Sequence, residues 1–164
     1  MPQDPDHIIS RQLQNAEFLP HVVALLQEGH TVTLPLKGQS MRPFLQDGRD
    51  KAFLQTAETV KVGDAVLAEI RPGCYVLHRI VGIGGDGVTL RGDGNLTDEH
   101  CQQKDIKAKA IAFYRKGREQ ADSTDGRKWR IYSWWWTRLY PIRRLLLFIL
   151  YPHVPARFRS KNKV

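Results

Sequence analysis

The chain has 164 residues, the size of one domain or of one domain with an appendage, and its 41% hydrophobic content excludes a disordered chain. Two cysteines, Cys74 and Cys101, are too few for a disulfide scaffold or a Cys-only zinc site. The formal charge of +8 splits into 12 Lys+Arg against 14 Asp+Glu over residues 1–114 and 13 against 3 over residues 115–164, where all four tryptophans also lie. A body of net −2 with a tail of net +10 argues against a nucleic-acid-binding core, and nucleic acid is not the expected partner.

The N-terminus opens acidic and has no long apolar stretch, so no signal peptide is expected. Residues 7–28 read as helical, within an N-terminal helical segment 1–30. Ile8, Ile9 and Leu13 precede Asn15, a plausible N-cap. Phe18, Leu19, Val22, Val23, Leu25 and Leu26 form an apolar face, and Gly29 is a stop signal. Short strands follow over 31–114: Thr31–Leu36, Lys51–Gln55, Ala65–Ile70, Tyr75–Ile83, Gly87–Arg91 and Ile106–Tyr114. Gly- and Asp-containing turns separate them, and Gly84-Gly85-Asp86-Gly87 is a hairpin signal. This predicts a small mainly-β fold with an N-terminal helix and C-terminal short helices.

Residues 115–128 are polar and read as a linker or exposed loop. The basic aromatic tail, 129–164, reads as two short helices broken at Pro141 and a basic terminus after Pro152. Its longest apolar run, Leu145–Tyr151, is far short of the roughly 20 residues of a membrane span. Arg130, Arg138, Arg143 and Arg144 interrupt the wider stretch, each costing about 2.5–3.5 kcal/mol at mid-bilayer. The expected location is therefore the cytoplasm, with three readings open for the tail. Trp129, Tyr132, Trp134, Trp135, Trp136 and Tyr140 either pack on the β-body or, with the arginines, hold 129–151 on the inner face of an anionic membrane, or form a docking surface for a partner protein or nucleic acid.

Three segments carry candidate chemistry. In Leu36–Asp50, Ser40 lies between a strand and a Pro-containing turn, two residues after Gly38. A Ser at the start of a turn can offer its hydroxyl and its own N–H to one carbonyl. In Tyr75–Val81, His78 is a candidate general base in an apolar strand, or else a satisfied core histidine. In Arg91–His100, an acid either orients His78 or holds the site loop.

Taken in order, these segments resemble the S26 signal peptidase family in its Ser–His branch, the endoplasmic-reticulum and archaeal type. The blocks are Gly38-Gln-Ser40-Met41-Arg-Pro43-Phe-Leu45, Val62-Gly63-Asp64-Ala-Val66, His78-Arg79-Ile80 and Gly92-Asp93-Gly-Asn95, within residues 31–113. The resemblance implies a signal-peptidase/LexA-like β-fold and a serine endopeptidase that removes a leader or signal-like segment from a precursor peptide. Ser40 takes the nucleophile's position and His78 the general base's. Gly38, Met41 and Pro43 match residues around the nucleophile turn that shape it and meet substrate. Asp93 matches the Asp of the fourth block. The family's later acid falls on Glu99, with Asp98 just before it, so which acid orients His78 stays open. No metal or organic cofactor is implied. The chain departs from signal peptidases in lacking a membrane-spanning helix before Ser40. The alternative is a non-catalytic or self-cleaving S24-type regulatory module. Self-cleavage in that group uses a Lys where His78 stands.

Overall fold

Period-2 alternation between Gly- and Asp-rich turns builds an eight-stranded, all-antiparallel sheet with three helices against it. The structure is a computed structural model and describes residues 15–118 and 120–150. The helical reading of 7–14 and the basic terminus after Pro152 lie outside the described residues. Helix α1 spans Asn15–Gln27. The strands are β1 (Val32–Pro35), β2 (Lys51–Gln55), β3 (Ala65–Arg71), β4 (Cys74–Gly84), β5 (Gly87–Arg91), β6 (Glu99–Gln102), β7 (Ile106–Tyr114) and β8 (Asp122–Ser123). Helices α2 (Arg127–Arg138) and α3 (Tyr140–Leu150) follow. The sheet order is β1-β2-β7-β3-β4-β5-β6, with β8 also paired to β7. The mainly-β class with short flanking helices is therefore observed.

The ends of α1 and of the β4–β5 hairpin follow local chemistry. After α1, Gly29 takes φ +87°, the Gly29 N–H donates to Leu26 O and the His30 N–H to Leu25 O. This left-handed cap satisfies carbonyls the helix leaves open. In the hairpin, Gly84 pairs with Gly87 across a two-residue turn in which Gly85 takes φ +56°.

Strand β3 lies mid-sheet and is buried on both faces from Ala65 to Ala68. Ala65 and Leu67 join the larger core with Val22 and Leu26 of α1, Met41, Leu54 and Phe113. Val66 and Ala68 join a smaller core with Ile80, Val88 and Leu90. The near-continuous apolar run of β3 follows from this two-sided burial.

The polar stretch 115–128, read as a linker or exposed loop, is mostly exposed but contains a short strand. β8 pairs with β7, and Thr124 Oγ1 donates to Ala110 O and Ile111 O, so the chain folds back onto the sheet. Helix α2 then packs through Trp129, Ser133 and Trp136, which recur at i, i+4 and i+7. Trp129 sits 4.7 Å from the Phe113 ring and 5.0 Å from the Phe44 ring, between centroids. The α2–α3 break falls at Leu139, and Pro141 lies in the first turn of α3, where its missing N–H is tolerated. No described helix is long and apolar enough to cross a membrane.

The core and the outer tail face differ in what they lose on truncation. Phe113 is fully buried and Ile149 is 63% exposed. Phe113→Ala is expected to cost about 3–5 kcal/mol, and Ile149→Ala less than about 0.5 kcal/mol, in denaturant unfolding.

Candidate active site

Ser40 occupies a loop that is closed at its base and anchored at its middle. Leu36 N–H donates to Asp50 O (2.9 Å) and Gly48 N–H to Leu36 O (3.0 Å). The buried Asp50 carboxylate accepts from the Gln46 N–H (2.9 Å) and from Arg49 Nε and Nη2 (2.7 Å each). Gly38 takes φ +87°, which a side chain would resist. Met41 and Leu45 are buried in the larger core, and the Leu45 N–H donates to Met41 O. Met41 thus anchors the turn from inside, with its side chain in the core. Pro43, half-buried, follows a cis peptide bond.

The fourth block grips this turn from the other side. The Gly94 N–H donates to Ser40 O at 2.7 Å. A Cβ on Gly92 would stand 2.5 Å from Ser40 O, and one on Gly94 2.7 Å from Gln39 O. Only glycine allows this approach of backbone to backbone. The Ser40 N–H and Oγ make no hydrogen bond among the described residues.

His78 is buried in β4, opposite Val66 of β3, on the face of the smaller core. Its Nδ1 lies 2.5 Å from Glu99 Oε2. Glu99 reaches it through register: Ile80, Leu90 and Glu99 form one row across β4, β5 and β6, and His78 is two residues from Ile80 on the same face. His78 Nε2 makes no hydrogen bond among the described residues. A histidine held this way has its tautomer set by the carboxylate and its second nitrogen free to take a proton.

The other two acids, Asp93 and Asp98, among those left open as partners of His78, bond to Arg side chains. Asp93 receives Arg79 Nε (2.8 Å) and Nη2 (2.7 Å), and both residues are about 1% exposed. Burial disfavours the Arg79 charge, and the Asp93 carboxylate more than offsets it, holding the guanidinium pKa above its ordinary value. Arg79 Nη1 also donates to Gly63 O (2.9 Å) and to Ser133 Oγ. Asp98 pairs with Arg91, whose hydrogen bonds hold its carboxyl below the usual range against a smaller effect of burial.

The C-terminal helices close over the same loop. Trp136 Nε1 donates to Asp93 O (2.9 Å) and Tyr140 Oη to Leu96 O (3.0 Å). Tyr132 Oη lies 3.5 Å from Asp93 Oδ2. Burial, then the Asp93 charge, push this phenol far above its ordinary pKa, so it stays a neutral donor. Arg143, buried, donates to Trp136 O (2.8 Å). The inner faces of α2 and α3 thus pack inward, as one of the three tail readings expects. A cavity of about 630 Å³ lies between residues 61–64 and α2, and neither Ser40 nor His78 lines it.

The sequence reading missed Arg79 as the hub of the site, and Tyr132 and Trp136 as its covers. An Arg inside the apolar run Tyr75–Val81 is the one signal that pointed there. No protein-family model and no curated protein matches the chain.

Two outcomes separate these carboxylates. Asp93→Asn strands a buried guanidinium and is expected to cost about 3–5 kcal/mol in chemical unfolding, against about 0–1 kcal/mol for Asp98→Asn at a partly exposed pair. Burial raises the Asp50 pKa, and Arg49 with the Gln46 N–H lowers it by more, so it lies below its unfolded value. A depressed carboxylate stabilises the fold above the unfolded pKa of about 3.9 and loses that contribution as pH falls through the folded value. Urea midpoints measured from about pH 5 to 3 should therefore fall, and fall less steeply in Asp50→Asn.

Proposed function

We propose that the chain is a serine endopeptidase that cleaves a leader or signal-like segment from a precursor peptide, with Ser40 as nucleophile and His78 as general base. The observation that carries this reading is the part-buried His78 Nδ1–Glu99 pair at 2.5 Å, with no hydrogen bond at Nε2 among the described residues; separately, the fourth block holds the Ser40 turn by its carbonyl. The order of the four blocks, which resembles signal peptidases of the Ser–His branch, supports it.

In this mechanism His78 Nε2 takes the Ser40 Oγ proton as Oγ attacks the scissile carbonyl. Glu99 stabilises the imidazolium that forms, without itself taking the proton. The free Ser40 N–H is one donor for the oxyanion. The imidazolium then protonates the leaving amine, an acyl-enzyme remains on Ser40, and water activated by His78 hydrolyses it. Ser40 Oγ and His78 Nε2 share no hydrogen bond among the described residues, so the scheme requires that they meet when substrate is bound. Asp93 and Arg79 do no chemistry in this scheme. They position the loop that carries Ser40.

The test is cleavage of a peptide library, read by mass spectrometry. Ser40→Ala and His78→Ala are expected to remove all products above background. Glu99→Gln is expected to slow cleavage on the order of 10²–10⁴-fold with the fold intact. Identical product sets from wild type and Ser40→Ala would overturn the proposal.

A further inference from the structure

Helix α2 has two faces of different chemistry. The inner face, Trp129, Ser133 and Trp136, is buried. The outer face carries Ile131, Trp134 and Trp135 at 60%, 51% and 55% exposure, at i, i+3 and i+4. Arg127, Lys128, Arg130 and Arg138 are exposed around them, and the Arg138 guanidinium lies 4.4 Å from the Trp134 ring. Helix α3 repeats the pattern: Arg143 and Leu147 point in, while Ile142, Leu145 and Ile149 are at least half exposed at i, i+3 and i+7. From Gly126 to Val164 the chain has ten Lys+Arg and no Asp or Glu.

Six large apolar side chains in water on two consecutive helices need a cover. An aqueous polyanion such as a nucleic acid would satisfy the cations but has no use for Ile142, Leu145 and Ile149. An acidic protein groove would suit the stripes, but exposed Trp side chains among arginines on α2, followed by an exposed aliphatic stripe on α3, match a bilayer interface. There the indole ring sits among headgroups, aliphatic chains reach the acyl boundary and guanidinium groups meet lipid phosphate. We infer that the outer face of α2 and α3 is a docking surface for an anionic membrane, on which the chain lies without crossing it. The positive charge supplies attraction that grows with the anionic lipid fraction and is screened by salt. The apolar stripes supply the part that salt does not remove.

The surface stands apart from Ser40 and His78, so its test is independent of the peptidase reading. Full-length protein would be floated with vesicles of phosphatidylcholine alone or with one third phosphatidylglycerol, at low and high salt. We expect about tenfold or greater enrichment on the anionic vesicles at low salt, and a blue shift of tryptophan emission. Trp134→Ser with Trp135→Ser, and separately Leu145→Ser with Ile149→Ser, should each lose most of the bound fraction while keeping the wild-type melting temperature, since all four sites are exposed. Ser40→Ala should float like wild type. Failure of wild type to float with anionic vesicles at low salt would overturn the inference. So would undiminished flotation of both double variants, which would assign binding to the basic residues alone, and equal flotation with both vesicle types.

Discussion

The buried pair of Arg79 and Asp93 is the interaction on which the rest of the structure depends. Taking both charges out of water costs several kcal/mol per ion, and their attraction returns this only with good geometry and full hydrogen bonding. Both conditions hold. Arg79 meets the carboxylate through two nitrogens and gives its third to Gly63 O and Ser133 Oγ. The Trp129 ring, centred 4.7 Å from the guanidinium, covers it. The partners come from the 61–64 turn, β4, the loop after β5, and α2. A half-assembled version would leave a charge buried and unpaired, so the pair demands that all four segments arrive together.

Strand alternation divides the labour between neighbours. His78 and Arg79 are adjacent in β4 and point to opposite faces of the sheet. One faces the smaller core and Glu99, and the other faces α2 and Asp93. The loop that Arg79 holds through Asp93 is the loop whose Gly92 and Gly94 press on the Ser40 carbonyl. A single rigid strand therefore fixes the histidine directly and the serine turn at one remove. Preorganisation of this kind, from a strand and its hydrogen-bonded loop, places a side chain more securely than a loop alone would.

The strands rich in Val, Ile and Leu were legible in the sequence because alternation and Gly-Asp turns mark them, and the Gly84–Gly87 hairpin was marked down to its turn. β6 and β8 were not. Glu99-His-Cys-Gln and Asp122-Ser carry no β-branched run, and they are strands only because β5 and β7 offer them partners. Ser40, His78 and the three acids were visible as residues, but their pairing was not. Glu99 and Asp98 differ by one position, and in a strand one position is the other face. Only the β4–β5–β6 register sends Glu99 to His78 and leaves Asp98 with Arg91. Arg79 was hidden for a related reason: a charge in an apolar strand has meaning only once its partner, 14 residues on, is folded against it.

The basic aromatic segment that charge sets apart from the body packs on that body over its described part. The helix that leaves Ile131, Trp134 and Trp135 in water is the helix whose Trp136 holds the Asp93 carbonyl and whose Ser133 receives Arg79. Tyr140, at the start of α3, holds Leu96 in the same loop and stacks under Arg91 at 3.7 Å. The basic aromatic segment is thus a structural wall of the candidate site on one side and an unpartnered surface on the other. A shift of α2 would act on the loop that grips the Ser40 turn, because Trp136, which holds the Asp93 carbonyl, projects from the same turns as Trp134 and Trp135. An exposed apolar face and the support of the candidate site are therefore joined in one helix of twelve residues.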